Sequence, residues 1–162
     1  MEQAVIASGS NIGNRLDSLQ AAGRFLRLLS EDTAQFSSIW ETEPVGPSKY
    51  PFLNAAAKIT TDLSPIELLR QLKNFEVKTG REPNSQRWAP RILDLDIIRY
   101  GDLAIEQESL IIPHPEYSHR LFVLQPMYEI DSGWTDPNSG LTLSTMIEQA
   151  PQIKLQKTDF TW

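Results

Sequence analysis

Residues 53–69, LNAAAKITTDLSPIELL, contain the change of periodicity that decides the fold. As far as Thr61 the run is short, apolar and rich in small and β-branched residues, which reads as a strand. It passes at once into the clearest helix start in the chain. Ser64 stands as N-cap, Pro65 at the first helical position, and Glu67 completes a capping box. The spacing predicts a helix running to Gly80 with Leu69, Leu72 and Phe75 as its apolar stripe. Glu76 falls beside that stripe, and a half-buried carboxylate needs a partner.

Working outward, residues 35–43 read as the preceding strand, joined to 53–61 by the Pro/Gly-rich loop 44–51, a candidate site wall. Residues 3–8 form a short buried strand, followed by the turn Gly9-Ser10-Asn11-Ile12-Gly13 and by Asn14, a helix cap. Leu16, Leu19, Ala22, Leu26 and Leu29 then recur at helical spacing up to about Ser30. Beyond the second helix, residues 94–100 read as a central strand closed by Gly101-Asp102. Residues 121–130 mix strand-like and turn-like features, and 141–149 suit a last short helix. The order β, α, β, β, α, β predicts an α+β, ferredoxin-like domain: helices on one face of a mostly antiparallel sheet, with extra C-terminal elements. A single domain over residues 1–162 is expected.

Composition narrows the chemistry. Cysteine is absent, so disulfides, thiolate metal sites and thiol nucleophiles are excluded. The formal charge of −6 argues against a nucleic-acid backbone binder. The N-terminus lacks a basic signal and no apolar run approaches the roughly 18 residues of a membrane span, so a cytoplasmic location is expected. Five of the nine arginines lie between Arg81 and Arg120, with no lysine among them. Arginine forks suit phosphate or carboxylate.

The sharpest local signal is Arg91-Ile92-Leu93-Asp94-Leu95-Asp96-Ile97-Ile98. Along a strand Asp94 and Asp96 point the same way, while Leu95 and Ile97 turn to a core. Paired carboxylates repel unless a cation separates them, and such a pair suits a Mg²⁺ ion that also binds phosphate oxygens. The competing reading is an exposed edge strand with solvated aspartates. Against it stand the scarcity of Asp in strands and the nearness of Arg81, Arg87 and Arg91. Taken singly, these arginines and Arg120 read as surface ion-pair partners, and Glu76 could simply pair with Arg81. Trp88 and Phe122 could each be a core anchor or a stacking platform. His114, held between prolines, reads as a phosphate or adenosine contact or as an ordinary loop histidine. No general base stands out, and there is no P-loop.

Together these segments resemble the 6-hydroxymethyl-7,8-dihydropterin pyrophosphokinase family over nearly the whole chain. The resemblance rests on Gly9-Ser10-Asn11, Thr42-Glu43-Pro44-Val45-Gly46, Phe52-Leu53-Asn54, Glu76 with Gly80-Arg81, residues 87–96 (RWAPRILDLD), Ile112-Pro113-His114-Pro115, and Arg120 with Phe122. It implies pyrophosphoryl transfer from ATP to a pterin alcohol in folate synthesis, with two Mg²⁺ ions held by Asp94 and Asp96. It further implies Arg81 and Arg91 as catalytic phosphate contacts, and Glu76, Arg87, Trp88, Ile97, His114 and Arg120 at ATP. The pterin would lie against Phe52 and Phe122, with Thr42, Pro44, Val45 and Asn54 at its edge and Trp88 and Asp94 bordering both ligands. The implied enzyme is monomeric, with small-molecule substrates and no nucleic-acid or membrane partner. Three positions depart from the pattern: Pro83 where some members carry a second arginine, Ala89 where Gly is frequent, and Phe52 where some have Tyr. The rival classes are a non-catalytic ferredoxin-like binding module and, less well matched, an RNA-binding domain, whose stacking aromatics are not evident here.

Overall fold

The computed structural model describes residues 1–44, 49–80 and 91–162. In chain order the elements are β1 (Glu2–Ser10), α1 (Arg15–Leu29), β2 (Gln35–Phe36), β3 (Trp40–Thr42), β4 (Phe52–Thr61), α2 (Pro65–Lys78), β5 (Asp94–Tyr100), β6 (Ile105–Gln107), β7 (Leu110–Ile112), α3 (Leu121–Asp131), α4 (Leu143–Gln149) and β8 (Leu155–Lys157). The main sheet has the order β5-β1-β4-β3-β8, with β2 also paired to β4, and its pairings are antiparallel. This is the expected ferredoxin-like arrangement. Strand 35–43 is divided in two, and each half pairs with β4.

The helix starts form as read. Asn14 accepts from the Asp17 N–H, and Ser64 and Glu67 close a reciprocal capping box on α2. One face of the sheet (Ala4, Ile6, Ala55, Ala57, Leu95, Ile97) is packed under α1 and α2 through Leu19, Leu26, Leu68 and Leu72. Alternation sends Val5, Ala56 and Ile98 to the opposite face, where they meet Leu124 and Met127 of α3 and Leu143 and Met146 of α4. Helices therefore cover both faces, because the C-terminal additions return over the side that the core motif leaves bare.

Two expectations are corrected. Residues 121–130 are helical, although Pro126 lies inside α3 and its N-cap, Arg120, makes no side-chain cap bond. The burial of Leu121, Val123, Leu124 and Met127 outweighs the missing start signal and the hydrogen bond that Pro126 cannot donate. Residues 94–100 are not central but form the end strand of the sheet order. Their near-continuous burial, which reads as a central strand, comes from being covered on both faces. Among the described residues no helix is long and apolar enough to cross a membrane.

Candidate active site

The site lies on the α3 side of the sheet, at the end that α3 does not fill. Sheet register places it: Gly9 lies between Asn54 on β4 and Asp94 on β5, and Ala7 between Ala56 and Asp96. Residues opposite one another in a sheet share a face, so Ala7, Gly9, Asn54, Asp94 and Asp96 border one cavity of about 370 Å³, while Ala56 stays in the core under α3. The cavity is lined from β5 and the residues before it by Arg91, Asp94 and Asp96, from β3 and β4 by Thr42, Phe52 and Asn54, and from the segment 114–122 by His114, Arg120 and Phe122. Asn54 Nδ2 donates to Thr42 Oγ1 at 3.1 Å, which fixes the orientation of the amide.

The Gly-Ser-Asn turn has a structural task. Asn11, 1% exposed, accepts the Arg91 N–H on Oδ1 at 2.7 Å, and its own N–H donates to the Arg91 carbonyl at 3.1 Å. The two bonds clamp the start of the aspartate strand to β1, and Arg91 Nη1 then meets Asp94 Oδ1 at 2.9 Å. Asn11→Ala leaves the Arg91 N–H without its side-chain acceptor, so we expect about 1–3 kcal/mol of lost stability in urea unfolding. A weaker apparent affinity for ATP should accompany it.

The two aspartates differ electrostatically. Burial first, and then the neighbouring Asp96 charge, push Asp94 up to about 6. Asp96 is also desolvated, but Lys73, His114 and Arg120 hold its carboxyl below the usual range. Burial lowers the His114 pKa against the pull of Asp96. Its Nδ1 accepts the Glu116 N–H at 3.2 Å, so the neutral ring carries its proton on Nε2.

Among the described residues no group of three or more His, Cys, Asp or Glu is arranged to hold a metal. A crowded pair of hard carboxylate oxygens in a cavity also lined by two arginines is not a closed cage. It fits a divalent ion that completes its coordination with phosphate oxygens and water. The chemistry of this donor set therefore matches Mg²⁺.

The profile of the 7,8-dihydro-6-hydroxymethylpterin-pyrophosphokinase (HPPK) family matches residues 5–132. The chain belongs to that family. It is 39% identical over 159 residues to the 2-amino-4-hydroxy-6-hydroxymethyldihydropteridine pyrophosphokinase of Haemophilus influenzae, covering 97% of this chain and 98% of that protein. The Synechocystis protein of the same name is 43% identical over 147 residues, covering 90% and 75% respectively. Among solved structures, a wild-type HPPK-DHPS of Plasmodium falciparum superposes with a TM-score of 0.67 at 14% identity, over 92% of this chain and 43% of that longer one. At that identity the likeness concerns the fold.

Of the residues that the HPPK resemblance pointed to, Thr42, Phe52, Asn54, Arg91, Asp94, Asp96, His114, Arg120 and Phe122 line the one cavity. Val45, Arg81, Arg87 and Trp88 lie outside the described residues. Pro44 is exposed and is not among the lining residues. Two others stand elsewhere than expected for direct ATP contacts. Ile97 is turned into the core beneath α1 and α2, so contact there would be through its main chain. Glu76, 1% exposed, is stationed against the edge of β5 and accepts the Leu95 N–H on Oε1 at 2.6 Å. Lys73 was missed by the sequence reading, since a lysine one turn before a glutamate looks like any exposed helical ion pair.

Proposed function

We propose that this chain transfers the pyrophosphoryl group of ATP to 6-hydroxymethyl-7,8-dihydropterin, giving AMP and the pterin diphosphate, a step of folate biosynthesis. The observation that carries the reading is that one cavity is lined both by a carboxylate pair with arginines and by a side-chain amide with two phenyl rings. The first set is suited to a nucleotide triphosphate and the second to a flat, hydrogen-bonding heterocycle.

In this reading Asp94 and Asp96 would hold two Mg²⁺ ions, which when bound neutralise the triphosphate and acidify the pterin hydroxyl. Arg91 and Arg120 bind phosphate oxygens through their forks, and neutral His114 offers its Nε2–H to the nucleotide. Arg81, Arg87 and Trp88 would contribute from the loop 81–90. Phe52 and Phe122 flank the pterin ring, Asn54 both donates to and accepts from its edge, and Thr42 orients Asn54. Glu76 acts through the Leu95 main chain, holding the aspartate strand in register. Catalysis by this set is positioning and charge stabilisation, with no protein general base required. The chain would act as a single-domain monomer in the cytoplasm.

The test is product analysis. The protein is incubated with Mg-ATP and the dihydropterin, and nucleotides and pterins are resolved by chromatography. AMP and pterin diphosphate in equal amounts support the reading; accumulation of ADP, or intact ATP, contradicts it.

The raised Asp94 pKa adds a pH dependence. Above about 6 the carboxylate is ionised and can take a cation, whereas below it a proton competes. Affinity for Mn²⁺, titrated as a Mg²⁺ surrogate, should therefore be nearly flat above about pH 7 and fall by up to roughly tenfold for each pH unit below 6. Equal affinity at about pH 5 and pH 7.5 would contradict the assignment of Asp94 as a ligand.

A further inference from the structure

Lys73 stands on α2, one turn before Glu76, and its ammonium has three acceptors: the Leu95 carbonyl at 2.7 Å, Glu76 Oε1 at 2.9 Å and Asp96 Oδ1 at 3.3 Å. Glu76 accepts the N–H of the same Leu95, so the two α2 side chains bracket one residue's main chain at the edge of β5. The third acceptor is different in kind, because Asp96 opens into the active-site cavity. Locally, the negative charges of Asp94, Asp96 and Glu76 face the positive charges of Lys73 and Arg91, which are joined to them by ion pairs.

We propose that Lys73 is a positioning residue that acts as a resident counter-ion: it orients Asp96 and repels a lone divalent cation, so that the aspartate pair takes up metal together with the phosphates of the nucleotide. The inference rests on the reading of Asp94 and Asp96 as the cation-binding pair. Its physical basis is direct. A dication bound by Asp96 would lie within a few ångströms of the Lys73 ammonium, in a partly desolvated site where like charges interact far more strongly than in water. Incoming phosphate oxygens supply the negative charge that offsets the repulsion. Without nucleotide, the aspartates are already partly neutralised and metal-free protein is the favoured state.

The experiment is calorimetric titration of nucleotide-free protein with Mn²⁺, comparing wild type with Lys73→Gln, Lys73→Met and Lys73→Arg, and with an Asp94→Asn plus Asp96→Asn control. Both uncharged variants should bind Mn²⁺ about tenfold tighter than wild type or better. Lys73→Arg, which keeps the charge, should remain near wild type. Met preserves the aliphatic stem along β5, so it carries the test if Gln perturbs folding. Equal or weaker Mn²⁺ affinity in the uncharged variants, with binding still abolished in the aspartate control, overturns the role of Lys73 and leaves the metal reading standing. Undiminished binding in the aspartate control overturns the metal reading itself.

Discussion

Replacing both Asp94 and Asp96 with asparagine is expected to lower kcat/KM by on the order of 10³-fold or more, while the chain stays folded. The cavity would lose both of its aspartate carboxylates, and amide oxygens are poor substitutes as ligands for a hard cation. The fold should survive because the alternation that exposes the aspartates to the cavity sends Leu95 and Ile97, the packing residues of β5, to the other face. The sign of the Asp94 shift supports this. A carboxyl whose folded pKa lies above its ordinary value is one whose ionised form disfavours folding, so its neutralisation removes a cost present above pH 4 and complete above about pH 6. Asp96, whose pKa is depressed, changes stability in the opposite sense, and the Asp96→Asn change removes the ion pair with Lys73. The two changes partly cancel. Thermal melting should therefore shift little without metal, and a variant that retains turnover within about tenfold would remove the aspartates from the mechanism.

The second large effect concerns stability at the opposite end of the same sheet. Asp131 on α3 receives Arg99 Nε at 2.5 Å and Nη2 at 2.9 Å, and Lys58 Nζ at 3.2 Å, with both Arg99 and Asp131 almost fully buried. Asp131→Ala leaves two buried or half-buried cations facing a vacated carboxylate. Loss of one member of such a group typically costs about 3–5 kcal/mol, much of it from the uncompensated charge. For a chain of this size that corresponds to a fall in Tm of roughly 10 °C. The Arg99 guanidinium still donates to the Gly101 carbonyl at 3.2 Å, which limits the loss. Activity of the folded fraction should persist, because Arg99 pairs with Val5 while the site begins at Ala7 and Gly9. A Tm within about 2 °C of wild type would show that the charge cluster contributes little.

These two substitutions separate what the sequence reveals from what it hides. The βαββαβ core was legible because each signal was local: the Ser64-Pro65-Glu67 helix start, the i, i+3, i+4 stripe of α1, and the alternation through Asp94-Leu95-Asp96-Ile97. The aspartate pair was legible for the same reason, since its spacing lies within one strand. Helix α3 was not, because Pro126 and an uncapped start disguise a segment whose helicity is settled by packing against Val5, Ala56 and Ile98. The long-range partners of Glu76, Asp96 and Asp131 were hidden for a further reason. Glu76 reaches the Leu95 N–H across 19 positions, Lys73 reaches Asp96 across 23 and Arg99 reaches Asp131 across 32, and no periodicity encodes a contact at such separation. The role of Asn11, tying β1 to Arg91 across 80 positions, belongs to the same class.

If the pterin hydroxyl attacks the β-phosphorus of ATP in the cavity of Asp94 and Asp96, as proposed, a single turnover with ATP labelled at the β-phosphorus, using wild type and the double asparagine variant, will show it. In wild type the label should appear on the pterin and leave the adenine nucleotide unlabelled as AMP, and in the variant it should remain on ATP. Label retained as ADP in wild type, or transfer undiminished in the variant, would contradict the account.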